Sequence, residues 1–221
     1  MAEQRTLRIK GTGKTKAAPN SIVLNLSLLA AHKDYTETMS IGARQFEELQ
    51  KCIESGGFEK DNLKTKHFSV DAKYEQEECR EKGRTVYHDI FIEYECRHNL
   101  RLSFDKDLDK LRKVMEAIGK CTSLPKISIE FTVKDAEAMR DEVLRSAAED
   151  AYRKAKILCA ASGIKLGKLL HIDYSWDEIE IKHSLSLHEN CCDGIFGGRG
   201  YDFSPDDVEA EDTVGFLWEI E

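Results

Sequence analysis

Strands and amphipathic helices in mixed order predict an α+β fold, a largely antiparallel sheet with helices packed on one side. Three observations carry that expectation. Val86, His88, Ile90, Ile92, Tyr94, Cys96, His98, Leu100, Leu102 and Phe104 share one parity, the period-two mark of a strand with one face toward a core. Apolar residues recur at helical spacing in three other stretches, of which 136–162 is the longest. The resulting order is strand, strand, helix, strand, strand, helix, strand, helix, strand, strand, and within it residues 21–134 follow the ferredoxin-like βαββαβ pattern.

The elements follow in turn. Residues 5–16 and 21–31 read as two strands joined across Ala17-Ala18-Pro19-Asn20, a β-hairpin by its turn chemistry. Asp34 with Glu37 makes a capping box, and Tyr35, Met39, Ala43, Phe46, Leu49 and Ile53 form a helical stripe that Gly56-Gly57 ends. Phe68, Val70, Ala72 and Tyr74 alternate with mainly polar neighbours as a strand, and residues 75–85 read as a charged loop before the long strand over 86–104, which a bulge could bend. Asp107 opens a helix carrying Leu108, Leu111, Val114, Met115 and Ile118 on one face. Pro125 introduces a strand with Ile127, Ile129, Phe131 and Val133.

The third helix bears Met139, Val143, Leu144, Ala147, Ala151, Ala155, Leu158 and Cys159 and stops at Gly163. Alanine dominates that stripe, so a neighbour packs close against it. Leu170, Ile172, Tyr174 and Trp176 alternate next, then Ile179, Ile181, Leu185 and Leu187 on the opposite parity. Residues 188–205 are Gly-rich and read as a loop, and Val214, Phe216, Trp218 and Ile220 close the chain as a strand. One domain over 1–221 is expected, with sub-lobes 21–134 and 1–20 plus 135–221.

Composition narrows the function classes. A chain of 221 residues buries roughly 70% of its unfolded surface and needs no disulfide staples. Its formal charge of -8, from 33 cationic against 41 acidic side chains, disfavours nucleic acid and anionic membranes as partners. No run is long and apolar enough for a signal peptide core or a membrane span, so no membrane insertion and a cytoplasmic location are expected. Seven cysteines without a regular framework fit reduced thiols.

The segment Gly11-Thr12-Gly13-Lys14-Thr15 invites a phosphate-binding reading. It fails on spacing, because Arg8 stands where the loop needs its first glycine, and on context, because a leucine-rich strand follows Pro19 in place of a helix. Gly11 and Gly13 are better explained by a bulge or a close backbone approach in a strand.

Five stretches together resemble one family. They are "IKGTGKTKAAPNSIVLNLSL", "GGFEKDNLKTKHFSV", "YECRHNLRLSFD", "AAEDAYRKAKILCAASGIKLGKLLHI" and "SPDDVEAEDTVGFLWEI". In this order they resemble the SIMPL domain family, whose members include bacterial proteins linked to oxidative-stress defence and an animal kinase-associated signalling protein. The resemblance implies an α+β fold and homo-oligomerisation, with no agreed catalytic residues and no cofactor.

Candidate chemistry is sparse. His183, His188, Cys191 and Cys192 offer donors for zinc or copper, or a redox-sensing thiol pair near Arg199, although adjacent thiols suit a single tetrahedral ion poorly and a solvated loop is favoured. His88 and His98 lie on the apolar parity and Glu93 and Glu95 on the other, so they cannot meet over a substrate and a core or subunit-contact role is expected. The acidic "DFSPDDVEAED" lacks EF-hand spacing and reads as a solvated connector, while Trp176 and Trp218 read as buried. No catalytic residue stands out. The expectation is a non-enzymatic protein that assembles with itself or binds a protein partner, using exposed edges such as those of 86–104 and the C-terminal strand. A thiol- or metal-dependent stress factor built on His183–Cys192 is the alternative.

Overall fold

The computed structural model describes residues 5–81, 84–174, 181–182, 203 and 205–221. Their strands are β1 (Thr6–Ala17), β2 (Ser21–His32), β3 (Leu63–Glu81), β4 (Arg84–Asp105), β5 (Lys126–Thr132), β6 (Leu166–Asp173), β7 (Ile181–Lys182) and β8 (Val208–Ile220). The helices are α1 (Tyr35–Ser55), α2 (Leu108–Gly119) and α3 (Ala136–Ser162). The class is α+β, with two antiparallel sheets. The chain divides into two compact units, one formed by 21–130 and the other by 5–20, 131–174 and 205–221.

All three helices start where the sequence places an aspartate. Asp34 accepts from the Glu37 N–H at 3.0 Å, Asp107 from those of Asp109 and Lys110, and Asp135 from that of Ala138. The reciprocal half of the capping box at α1 is replaced, since the Asp34 N–H donates to His32 Nδ1 at 3.0 Å. α3 ends on Gly163 at φ 69°, a left-handed cap that glycine adopts without penalty.

In the 21–130 unit the sheet order is β3-β4-β2-β5. Ile22, Leu24, Leu26 and Leu28 of β2 and Leu100 and Leu102 of β4 are almost wholly buried, as are Leu49 and Ile53 of α1 and Leu111, Val114 and Ile118 of α2. α1 rides close on β4, because a Cβ added at Gly42 would lie 3.1 Å from Cys96 Sγ. Glu48 of α1 accepts the Thr122 N–H at 3.0 Å and the Ser123 hydroxyl, pinning the loop after α2 to α1.

In the other unit the order is β1-β8-β6, with β7 also on β8. The expected β1–β2 hairpin does not form. β1 pairs instead with β8 in unbroken register from Thr6↔Glu219 to Ala17↔Val208, and β2 pairs with β4 in the other sheet. Pro19 and Asn20 therefore mark a passage between sheets and not a two-strand turn. The cross-strand partners Lys14–Glu211 and Lys16–Glu209 are ion pairs, a charge match that favours this register.

α3 lies on β1 with no side chain between them at two points. A Cβ at Gly11 would sit 2.0 Å from the Ala147 carbonyl oxygen, and one at Gly13 1.8 Å from that of Val143. The alanine stripe and the two glycines are thus two halves of one contact, and Gly11–Lys16 is strand throughout. The close approach predicted for the glycines is present, and the β1–β8 register shows no bulge there. Ala147, Ala151 and Ala155 pack with Ile9, Val214, Phe216 and Trp218, while Met139 and Val143 pack with Val133, Val208 and Ala210. Trp218 is buried and stacked on Phe216 at 5.4 Å.

Four further expectations change. Residues 75–81 are strand, not a charged loop, and β4 begins at Arg84. The acidic segment near the C-terminus is not all connector, since β8 starts at Val208, where Val208 and Ala210 are buried. Leu158 stands 49% exposed, outside the buried stripe of α3. β6 presents Leu170 and Ile172 to solvent at 41% and 50%, so its alternation does not mark a buried face.

Candidate interaction surface

Unpaired strand edges are the first place to look for a surface that associates, because their N–H and C=O groups demand partners. β8 is not an edge. It lies between β1 and β6, which corrects the expectation that the C-terminal strand offers one. Among the described residues the outer strands are β1, β6 and β7 in one sheet and β3 and β5 in the other.

The edge of β1 is capped by α3. Asp150 Oδ2 accepts the Thr12 N–H at 3.0 Å, and Lys154 Nζ donates to the Lys10 carbonyl at 3.3 Å. Lys154 and Arg153 each also reach Asp150 at 2.6 Å. Hydrogen bonds from Lys154 and then Thr12 hold the Asp150 carboxyl down at about 2, against the opposing effect of burial.

The long β3–β4 hairpin is different. β2 pairs with β4 only as far as His32↔Tyr94, whereas β3 follows β4 on to Glu81↔Arg84. Beyond Tyr94, β4 continues without β2, and residues 73–81 pair with 84–93 as a long β3–β4 ribbon. At the rise of a strand, its ten or so residue pairs span about 30 Å.

A bulge decides what this ribbon displays. Lys73 pairs with Glu93 and Tyr74 with Phe91, which leaves Ile92 as an extra residue on β4. The insertion reverses the parity. On the face that α1 covers lie Cys96, His98 and Tyr94, then, past the bulge, Phe91, Asp89 and Tyr87 opposite Tyr74, Gln76 and Glu78. The sequence-level expectation of one face from 86 to 104 fails at Ile92, and His88 and Ile90 fall on the other side, opposite Glu77 and Glu75.

The aromatic rings on that face make contact in series. Tyr35 at the start of α1 meets Tyr94 edge-on at 5.5 Å, Tyr94 meets Phe91 at 5.0 Å, and Phe91 meets Tyr74 at 5.9 Å. α1 ends its cover at Tyr35, and beyond it Tyr74 is 57%, Tyr87 61% and Phe91 38% exposed. The opposite face carries charge. Lys73 pairs with Glu95 at 2.8 Å and Glu93 at 3.8 Å, and these contacts hold Glu95 below the ordinary carboxylate range, the Lys73 hydrogen bond foremost.

The candidates read from the sequence fare unevenly. His98 is half-buried between Phe46 at 4.7 Å and Phe68 at 5.2 Å, with Nε2 2.9 Å from Thr65 Oγ1, and burial lowers its pKa. Glu93 and Glu95 are on the opposite face, so the strand does not assemble an acid-base pair from them. His88 is exposed. His183, His188, Cys191 and Cys192, with Trp176 and Arg199, lie outside the described residues, as do most of 188–205. Among the described residues no three His, Cys, Asp or Glu side chains group as metal ligands, and no helix is long and apolar enough to cross a membrane. Cys96, Cys121 and Cys159 are buried free thiols, and Cys52, half-exposed, is pushed up to about 12 by burial and then by Cys121.

Sequence reasoning missed the ribbon because its charges occupy both parities and mask the strand. The signal that remains is Gly83 between two runs holding Tyr74, Tyr87 and Phe91. Compared with known proteins, residues 7–190 match the family model described as SIMPL, protein of unknown function (DUF541). No curated protein matches the chain.

Proposed function

The chain belongs to the SIMPL family, and from that premise we propose that it works by association, with copies of itself or with a partner protein, and not by catalysing a reaction. One observation carries the reading: the β3–β4 ribbon continues past the cover of α1 with Tyr74 and Tyr87 more than half exposed and Phe91 partly so. An isolated two-stranded ribbon is marginal in water, and exposed aromatic side chains on it gain most by being covered.

Light scattering of the full chain at micromolar concentration, together with hydrogen exchange of the amides at 73–78 and 87–93, tests this. Assembly with slowed exchange at those amides supports the self-associating form. A monomer whose ribbon amides stay unprotected removes that form and leaves partner binding.

A further inference from the structure

The connection from α2 to β5 is held against α1 by one carboxylate. Glu48 accepts the Thr122 N–H at 3.0 Å and the Ser123 hydroxyl, and hydrogen bonds from Ser123 and then Thr122 hold its carboxyl below the ordinary range. Cys52 follows Glu48 by one helical turn, so the two side chains lie on the same face of α1. Cys121 immediately precedes Thr122, and its N–H donates to the Ile118 carbonyl at 2.9 Å, which turns the chain at the end of α2. The two thiols therefore meet across these elements. The Cys52 thiol, half-exposed, donates a hydrogen bond to the buried Cys121. None of the ribbon's residues takes part, nor do His183, His188, Cys191 and Cys192.

We propose that Cys52 and Cys121 are a disulfide-forming site, oxidised by a small-molecule disulfide of the glutathione class, whose bond joins α1 to the α2–β5 connection. Cys52, the more exposed thiol, attacks glutathione disulfide as its thiolate and releases one glutathione thiolate. Cys121, already in contact, attacks the mixed disulfide at the Cys52 sulfur and releases the second. One S–S bond breaks and one forms; the two protein thiols are oxidised, and their protons and two electrons end on two glutathione thiols. Because the fold holds both sulfurs together, the second step is intramolecular and the mixed disulfide does not persist. Burial and then Cys121 push the Cys52 thiol up to about 12, which keeps its thiolate scarce near neutrality. The pair rests reduced, and its oxidation quickens as pH rises. The bond closes the chain from 52 to 121 into a loop, which restricts the unfolded state and leaves the folded elements where Glu48 already pins them.

The test uses the full chain, fully reduced, then incubated with glutathione disulfide at mildly alkaline pH, blocked with N-ethylmaleimide and digested with trypsin without reductant. Lys51, Lys60, Lys120 and Lys126 place each cysteine in its own short peptide, 52–60 and 121–126. In the majority of the chain these two peptides are recovered joined, two hydrogens lighter than their sum, and dithiothreitol separates them. The oxidised chain unfolds at a higher urea concentration than the reduced one, and Cys52→Ser, at a half-exposed position, loses that rise. Recovery of 52–60 and 121–126 as separate peptides, alkylated or carrying glutathione, overturns the inference, as does Cys52 joined to a cysteine other than Cys121. An oxidised chain whose urea midpoint equals that of the reduced chain overturns it too. The association reading stands or falls apart from these outcomes, because light scattering of the reduced chain decides it.

Discussion

Two strand segments of this protein meet solvent in opposite ways. Along β1, α3 descends until its own backbone touches the strand, and Asp150 and Lys154 close the edge that remains. Along the distal half of β4, the cover of α1 and the pairing with β2 have both stopped, and the rings of Tyr74, Tyr87 and Phe91 stand exposed. The first region removes side chains to gain contact; the second keeps large side chains that contact little. The difference separates a strand sealed by its own helix from one whose large side chains stay exposed, and it makes opposite demands on mutation.

The largest expected effect tests the sealed region. Gly13→Ala places a Cβ where the Val143 carbonyl oxygen is, so α3 must lift from the strand, and we expect a loss of about 3 kcal/mol or more in urea unfolding. A near-neutral result would break the comparison at its root.

Asp150→Asn comes next. The amide can still accept the Thr12 N–H but loses its charge-assisted bonds to Lys154 and Arg153, for a cost of about 1 kcal/mol at neutral pH. The pH profile sharpens this. Because the folded carboxyl titrates at about 2 and the ordinary value is 3.8, its contribution is complete above pH 4 and is lost as pH falls toward 2, where the unfolded chain has already taken the proton. In the Asn variant this part of the acid limb is missing. His98 gives a smaller pH effect of the same sign: burial lowers its pKa from 6.5, so its neutral ring favours folding above that value, and stability declines as pH drops below it. His98→Gln should flatten the profile below pH 6.5.

The smallest effect on stability belongs to the ribbon. Tyr87→Ala, at a side chain 61% exposed, should change unfolding by no more than about 0.5 kcal/mol while weakening association. A loss as large as that at Gly13 would mean that the ribbon is structural, and the contrast between the two regions would vanish.

The sequence disclosed the faces of elements better than their partners. The alanine stripe of α3 announced a close neighbour, and the caps at Asp34, Asp107 and Asp135 marked where helices begin, because both signals are local. The pairing of Thr6 with Glu219 left no local trace, so two adjacent strands looked like a hairpin. Ile92 looked like one more residue of an alternating strand because a bulge changes register without changing composition. Residues 75–81 looked like a loop because residues 75–78 and their partners over 87–90 are exposed on both faces, and alternation appears only where one face is dry. The candidate surface was hidden for the same reason that makes it a candidate.

The central place of β8 in its sheet has a consequence for synthesis. All the described strands of the β3-β4-β2-β5 sheet have been synthesised by residue 132, so that sheet can form early, once they clear the ribosome, on contacts of moderate span. β1, made first, meets its partner only when residues 208–220 emerge, and during translation it must wait while the rest of the chain is polymerised. A nascent chain arrested before residue 208 should therefore resist protease over 21–130 and be cut readily within 6–17.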